Sequence, residues 1–195
     1  TAVKDLRDKV SQYVAVFRDI SGFRMVEEEV RNLAFYDPLT KLPNRRLLDE
    51  HFRSSFSASE RSKQFAAALF LDMDNFKVLN DTMGHSYGDL MLVEVARRIR
   101  CNVRSVDTVA RIGGDEFVIL VKNLGNGAGE ASKKVFMIAE KIRIALSLPF
   151  DINGYLYYSS ASIGVCLYYG KNHSVEVLLK NADFAMYQAK NGGRD

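Results

Sequence analysis

The sequence predicts an α+β domain in which helices pack on a mainly antiparallel sheet. Helical and strand signals alternate along the chain, and consecutive strand signals are joined by short glycine-containing turns, which favour antiparallel pairing. The chain has 195 residues, which indicates one domain with an appendage. Its hydrophobic content of 47% is ample for a packed core.

The first 34 residues are interpreted as the appendage. Residues 10–20 are rich in β-formers and predict a strand. Residues 23–35 predict a helix that is too short to identify as a coiled coil. Its apolar residues follow an a/d spacing: Phe23, Val26, Val30 and Leu33. Two prolines in the turn-rich segment 37–45 then interrupt any continuous helix, so we place the domain boundary between residues 34 and 35.

The domain itself, residues 35–195, contains the alternating elements. Helices are predicted over about 44–60, over 75–102 as a short helix, a loop and a long helix, over 129–147 and over 174–190. Strands are predicted over about 65–71, in a hairpin spanning 107–122, and over 149–152 and 155–168. In the long helix the apolar residues are expected to face largely inward: Leu90, Leu92, Val93, Val95, Ala96 and Ile99.

Composition narrows the function classes. The net charge is +3, from 27 basic and 24 acidic residues, which is too small a bias to indicate nucleic-acid binding. Cys101 and Cys166 lack metal-type spacing and are expected to be reduced cytosolic thiols. No long apolar run is present, so we expect a cytoplasmic domain without membrane contact. A chain that begins at Thr1 is expected to derive from a longer parent, whose membrane attachment stays open.

A ten-residue segment, Arg111 to Leu120, is the most informative part of the chain. Gly113 and Gly114 separate two apolar runs, which predicts a tight hairpin whose two turn residues adopt positive φ. Asp115 and Glu116 follow at once. Because repulsion opposes placing two acids at a hairpin tip, they are better explained as ligands for a divalent metal. The glycines also leave room for a ligand beside the backbone.

A second acidic motif follows an apolar strand, at Asp72-Met73-Asp74. If this strand lies beside the hairpin, Asp72 and Asp115 can converge on one cation, and Mg²⁺ commonly takes one or two carboxylates plus substrate phosphates. Neighbouring residues of a strand point to opposite faces, so only one of Asp115 and Glu116 is expected to join Asp72 directly. Capping of a strand end is the alternative for an isolated Asp-x-Asp.

The segment after this motif predicts an anion site. The backbone amides of Asn75 and Phe76 would open a helix, and Lys77 adds a positive charge. Gly84 and Gly88 are expected to form the turn between two helices.

Five separated motifs together resemble, in order, those of the GGDEF family. They are Asp37-x-Leu-Thr-x-Leu-x-Asn-Arg45, the Asp72 strand end, the 75–89 segment, Gly113–Phe117 and the tail Lys190 to Arg194. The resemblance implies a fold related to the palm of polymerases and nucleotide cyclases. It also implies diguanylate cyclase activity, in which two GTP give cyclic di-GMP and two pyrophosphates. Residues 10–35 resemble the last strand of a PAS sensor domain followed by a signalling helix.

The resemblance also implies roles for single residues. Asp72, Asp115 and the backbone carbonyl of Met73 hold Mg²⁺ or Mn²⁺, and Glu116 is a further catalytic or metal-linked carboxylate. The implied substrate-binding residues are Asn75, Phe76, Lys77, Asn80, Asp89, Gly113, Gly114, Lys190 and Arg194. Asn80 and Asp89 resemble guanine readers, and a carboxylate that accepts from N1–H and the 2-amino group favours GTP over ATP. Lys190 and Arg194 resemble γ-phosphate ligands. Helix caps and helix-dipole charges are the structural alternatives.

Arg104 and Asp107 match the family's Arg-x-x-Asp inhibitory site for cyclic di-GMP; an ordinary surface ion pair is the alternative. Each domain has one set of guanine and phosphate groups, whereas the product has two phosphodiester bonds. Catalysis therefore requires a homodimer, for which the helix at 23–35 is a candidate lever. A non-catalytic cyclic di-GMP receptor and another nucleotide cyclase are the alternative functions. A phosphodiesterase domain often follows in this family, and the sequence leaves that open.

Overall fold

The computed structural model describes residues 2–4, 10–13, 29–171 and 174–191. The chain divides into two compact units, Thr1–Leu33 and Ala34–Asp195. In the first, β1 (Ala2–Lys4) pairs antiparallel with β2 (Val10–Tyr13). The predicted strand at 10–20 is thus present over its first four residues. Residues 29–35, called α1, are helical, and the rest of the predicted strand and the start of the predicted helix lie outside the described residues.

The second unit contains the helix α2 (Arg45–Ser62) and, after it, the strand β3 (Ala66–Met73). The elements that follow, in chain order, are α3 (Phe76–Met83), α4 (His85–Cys101), β4 (Thr108–Gly113), β5 (Glu116–Val121), α5 (Ala128–Ser147), β6 (Phe150–Ile152), β7 (Tyr155–Tyr157), β8 (Ala161–Tyr168) and α6 (Val175–Asn191). Four strands form an antiparallel sheet in the order β4-β5-β3-β8, and β6 and β7 form a separate hairpin. The predicted α+β class with a mainly antiparallel sheet is confirmed.

Both faces of the sheet are covered. Alternate residues of β3 belong to two different apolar clusters: Ala67, Leu69, Leu71 and Met73 to one, Ala66, Ala68 and Phe70 to the other. The first cluster contains the inner faces of α3, α4 and α5, and the second those of α2 and α6. A central strand that is buried on both faces explains why its sequence is a continuous apolar run.

The long helix predicted over the end of 75–102 is α4, and its burial differs from the prediction at two positions. Leu92, Val95, Ala96 and Ile99 are buried, but Leu90 and Val93 are 44% and 43% exposed. A surface helix turns only one stripe toward the core, so six apolar residues within ten positions cannot all face inward. Gly84 alone separates α3 from α4, and its φ of +87° favours glycine.

The segment that precedes α2 is a hydrogen-bonded turn followed by a helix cap. Asp37 accepts hydrogen bonds from the backbone N–H and the hydroxyl of Thr40, at 2.7 and 2.6 Å. The Asn44 side chain accepts from the Leu47 N–H at 3.2 Å, as an N-cap, and donates to the Ala34 carbonyl at 3.0 Å. The predicted turn-rich boundary therefore has a defined structure, in which polar side chains satisfy the backbone.

Candidate active site

Asp72 lies near the end of the central strand of the sheet. In the strand register it is opposite Glu116 of β5 and Ser162 of β8. Cross-strand partners in an antiparallel pair share a face of the sheet. The sheet therefore brings the Asp72 and Glu116 carboxylates to the same edge, although 44 positions separate them in the sequence.

In the β4–β5 hairpin, the turn lies one residue further along the chain than the sequence predicts. Gly113 pairs with Glu116, so the two turn residues are Gly114 and Asp115. Of these, Gly114 has a positive φ of +46°. A register shift between Arg111 and Gly113 moves the turn along the chain. Because Asp115 is in the turn, the strand alternation expected to separate it from Glu116 does not apply.

The carboxylates at this edge repel one another. Burial first, and then the charge of Asp72, raises the pKa of Asp115. Burial also raises the pKa of Glu116, followed by the charges of Asp72, Asp115 and Asp183. The positive charge of Lys190 has the opposite effect, because it lowers the pKa of both carboxyl groups. Crowded carboxylates of this kind favour a nearby cation, because it offsets their repulsion.

Asp183 is a neighbour that the sequence analysis missed. It lies on α6, seven residues before Lys190, so the two residues share one face of the helix two turns apart. This i,i+7 relation to a predicted phosphate ligand was the available signal. Asp183 is exposed, and its charge acts on Glu116.

Lys190 contacts the carboxylate edge directly. Its ammonium donates to Asp72 Oδ1 at 2.5 Å, with the Lys190 and Asp72 side chains 26% and 15% exposed. This contact depends on the close packing of α6 against β8. A Cβ at Gly164 would lie 1.9 Å from the Ala182 carbonyl oxygen and 2.3 Å from the Met186 nitrogen, so α6 can lie this close only over glycine.

The two acids of the Asp-x-Asp motif have different surroundings. Asp74 is only 2% exposed and accepts hydrogen bonds from the Ser160 and Ser162 hydroxyls at 2.5 and 2.9 Å. Its N–H donates to the Ser160 carbonyl at 2.9 Å. Asp74 therefore ties the end of β3 to the start of β8, whereas Asp72 lies among the site carboxylates.

Arg111 holds the hairpin tip in place. Its Nε and Nη2 donate to the Gly114 carbonyl at 3.0 and 2.8 Å, and its Nη1 donates to both oxygens of Asp37 at 3.0 and 3.1 Å. Burial would raise the pKa of Asp37, but the hydrogen bonds from Thr40 and Arg111 outweigh it and lower the pKa. The Gly114 carbonyl, which immediately precedes Asp115, is thus linked through Arg111 to Asp37 of the Asp37–Arg45 motif. Both residues lie within the sequence motifs, but no local pattern predicts their contact.

The residues of the 75–89 segment that are predicted to bind phosphate and guanine lie on α3 and α4 and at the start of α3. Asn75 takes the left-handed conformation, with φ +59°, which lets α3 begin directly after β3. The first N–H groups of a helix have no intrahelical partner, so those of α3 can bind an anion. Among the described residues, Asn80 Oδ1 is a buried atom without a hydrogen-bond partner. Lys77 and Asp89 are exposed, whereas Phe76 is buried.

Gly113 and Gly114, in the β4–β5 hairpin, border open space. An added Cβ at Gly113 or Gly114 would have no heavy atom within 4 Å. Packing within the domain therefore does not require glycine at Gly113. The missing side chain instead leaves the backbone open to a ligand.

The acidic edge does not complete a metal site alone. Within residues 2–4, 10–13, 29–171 and 174–191, no group of three or more His, Cys, Asp or Glu side chains could hold a metal ion. Mg²⁺ usually takes one or two carboxylates and completes its shell with water and phosphate oxygens. Asp72, Asp115 and the Met73 carbonyl offer the hard oxygen ligands that it prefers.

Arg194, a predicted γ-phosphate ligand, lies outside the described residues. Among the described residues, no helix is long and apolar enough to cross a membrane.

Comparison with known proteins gives the family. The family described as "Diguanylate cyclase, GGDEF domain" matches residues 34–195, so the chain belongs to the GGDEF family. The match begins at residue 34 and gives no support to the predicted PAS remnant upstream of it.

The chain is also similar to characterised relatives. It is 46% identical over 167 residues to the bifunctional diguanylate cyclase/cyclic di-GMP phosphodiesterase MucR of Pseudomonas aeruginosa, covering 86% of this chain and 24% of that protein. It is 38% identical to the diguanylate cyclase TpbB of the same species, covering 83% of this chain and 36% of that protein. The chain thus spans only about a quarter to a third of these relatives.

A solved structure shares the architecture. The coiled coil and GGDEF domain of DgcB from Caulobacter crescentus, in complex with c-di-GMP, superposes with a TM-score of 0.77 at 28% identity. The match covers 90% of each chain.

Proposed function

We propose that the chain is an active diguanylate cyclase domain, which condenses two GTP into cyclic di-GMP with release of two pyrophosphates. One observation carries the proposal: Asp72, Asp115 and Glu116 lie together at one end of the sheet beside Lys190, and burial first and then the charge of Asp72 raise the pKa of Asp115 and Glu116. A receptor that only binds the product has no need of such an edge. The similarity to TpbB supports the same function.

GTP is proposed to bind between the hairpin and the α3–α4 pair. Asn80 and Asp89 would read the guanine, and an Asp that accepts from N1–H and the 2-amino group disfavours adenine, which lacks that donor pair. The phosphates would lie at the first turn of α3 near Lys77, with Lys190 and Arg194 as further positive charges. The open space at Gly113 and Gly114 would admit the nucleotide beside the backbone.

The metal proposed for this site is Mg²⁺ or Mn²⁺, held by Asp72, Asp115 and the Met73 carbonyl. When bound, a divalent cation lowers the pKa of the attacking 3′-hydroxyl and polarises the α-phosphate. The residues of the chain hold the reacting groups in place, and such positioning accounts for much of the rate in phosphoryl transfer. Glu116 lies beside these ligands as a further carboxylate.

Two domains are proposed to meet about a two-fold axis. One domain provides one site for GTP, and each of the two new bonds joins the 3′-oxygen of one GTP to the α-phosphorus of the other. Val30 and Leu33 of α1 are exposed apolar residues with a/d spacing, which suits a dimerising helix.

The direct test is product analysis by mass after incubation with GTP and Mg²⁺, with any co-purified cyclic di-GMP removed beforehand. We expect cyclic di-GMP from the parent protein and none from Asp115→Ala. Asp49→Ala, on α2, is the matched control and should retain activity. If the parent makes no product but binds cyclic di-GMP tightly, the receptor function is favoured instead.

Product inhibition is proposed to act through Arg104. Asp107 is buried, and its carboxylate accepts from the Arg104 and Lys122 N–H groups, both at 3.0 Å, so it shapes the loop that exposes Arg104. The adjoining cleft has a volume of about 870 Å³ and is lined by the basic residues Lys41, Arg97, Arg100 and Lys122. These charges and this size suit an anionic dinucleotide.

We expect Arg104→Ala to require roughly tenfold more cyclic di-GMP for half-inhibition, because a bidentate contact to a guanine edge would be lost. Initial rates without added product should stay near the parent value. An unchanged inhibition curve would contradict the proposal.

A further inference from the structure

The side-chain amide of Asn80 is held in an unusual environment. Its Oδ1 is buried and lacks a hydrogen-bond partner among the described residues. Buried polar atoms are nearly always paired, so an unpaired one requires an explanation. Asn80 is on α3, and the surface opposite its amide belongs to α4.

The neighbour of this amide is Gly88, in the first turn of α4. A Cβ at Gly88 would lie 2.0 Å from Asn80 Oδ1, a distance that real Cβ atoms do not show, and 3.0 Å from its Cγ. It would also lie 3.1 Å from Phe76 Cζ. The absence of a side chain at Gly88 therefore determines where the Asn80 amide can lie.

Backbone conformation does not require this glycine. Among the described glycines with positive φ are Gly84, Gly114, Gly125, Gly154 and Gly170, but not Gly88. Glycine within a helix is less favourable than alanine, so the position carries a cost in stability. The compensating gain is the room it leaves for the Asn80 amide.

We propose that Gly88 is a positioning residue for base recognition, which acts through Asn80 by keeping its amide in the orientation that meets the purine edge of GTP. The inference rests on the proposed function. With Oδ1 buried against Gly88, the Nδ2 donor of the amide is the group that would meet a purine acceptor, and Asp89 directly follows Gly88 on α4. Alanine at this position would displace the end of a flexible side chain rather than backbone, so the fold would be retained while recognition weakens.

The experiment compares steady-state kinetics of Gly88→Ala with those of the parent protein. We expect the KM for GTP to rise roughly tenfold, as for the loss of one hydrogen bond, with kcat nearly unchanged, because base contacts act equally in the ground and transition states. Gly129→Ala is the matched control. It is also a helical glycine, and its added Cβ would meet nothing within 4 Å.

A double-mutant cycle separates this role from a general packing effect. In an Asn80→Ala background, Gly88→Ala should leave KM unchanged within about twofold, because the amide on which it acts is gone. Thermal unfolding of every variant should show a folded domain. A KM for Gly88→Ala equal to that of the parent, or an equal rise in both backgrounds, would overturn the inference and leave the cyclase proposal standing. Absence of turnover in the parent protein would instead overturn both.

Discussion

At the scale of single residues, the clustered carboxylates of Asp72, Asp115 and Glu116 lower the stability of the folded domain. The pKa of Asp115 is raised by its burial and by Asp72, which means that ionised Asp115 is less favourable in the folded domain than in the unfolded chain. Such strain is common at functional sites, because the arrangement serves a ligand rather than the fold.

Replacement of Asp115 by Asn should therefore stabilise the domain. In EDTA at pH 7 we expect Asp115→Asn to raise the free energy of unfolding by roughly 0.5–2 kcal/mol. Assayed separately with GTP and Mg²⁺, the same variant should have no activity. A carboxyl group whose pKa is raised by folding destabilises the folded domain only at pH values at which the group is ionised. The gain should therefore shrink as the pH falls through the folded-state pKa, and vanish below the carboxyl's ordinary value of 3.8.

Urea unfolding at several pH values measures this difference. Asp49→Asn, an acidic residue on α2, is the control and should show little gain. A destabilised Asp115→Asn at pH 7 would indicate that the carboxylate is part of the structural framework.

At the scale of elements, the site depends on the close contact of α6 with β8. Lys190 reaches Asp72 from α6, and α6 lies over Gly164 at a distance that excludes a Cβ. The obstructing atoms are backbone atoms of Ala182 and Met186, which cannot rotate away as a side chain does.

We predict that Gly164→Ala destabilises the domain by roughly 1–3 kcal/mol, as expected for overpacking in a close-packed interior. The same change should lower activity at temperatures where the domain remains folded, because α6 and Lys190 would move away from Asp72. Urea unfolding and initial rates measure the two effects, with Gly129→Ala as control. Parent-like stability and activity would show that the helix has more freedom than this packing implies.

At the scale of the whole molecule, the chain consists of two units. Both apolar clusters are formed by residues from Leu39 onward, within the unit Ala34–Asp195. The domain thus has a core of its own, and dimerisation is the proposed contribution of the preceding residues.

Deletion of residues 1–33 should accordingly leave the stability of the domain near that of the parent but weaken pairing. We expect specific activity to fall at low protein concentration and to recover as the concentration rises, because two domains must still meet. Sedimentation velocity and initial rates over the same concentration series test this. The full chain carrying Val30→Asp and Leu33→Asp should behave like the truncated one; undiminished activity of both at low concentration would refute the role of α1.

Local patterns were sufficient to predict the fold class, most helices and strands of residues 35–195, and the family, because periodicity, turn residues and motif spacing are properties of neighbouring residues. The strand predicted over 155–168 is instead two strands, Tyr155–Tyr157 and Ala161–Tyr168, which belong to different sheets. The tertiary structure decided the details of the site. Only strand register shows that the turn is Gly114-Asp115 and that Asp72 is opposite Glu116. Only its burial and its hydrogen bonds with Ser160 and Ser162 show that Asp74 ties two strands together. The contacts of Arg111 with Asp37 and of Gly88 with Asn80 likewise join residues on different elements. Such contacts depend on how elements pack, and a sequence pattern carries no direct record of that.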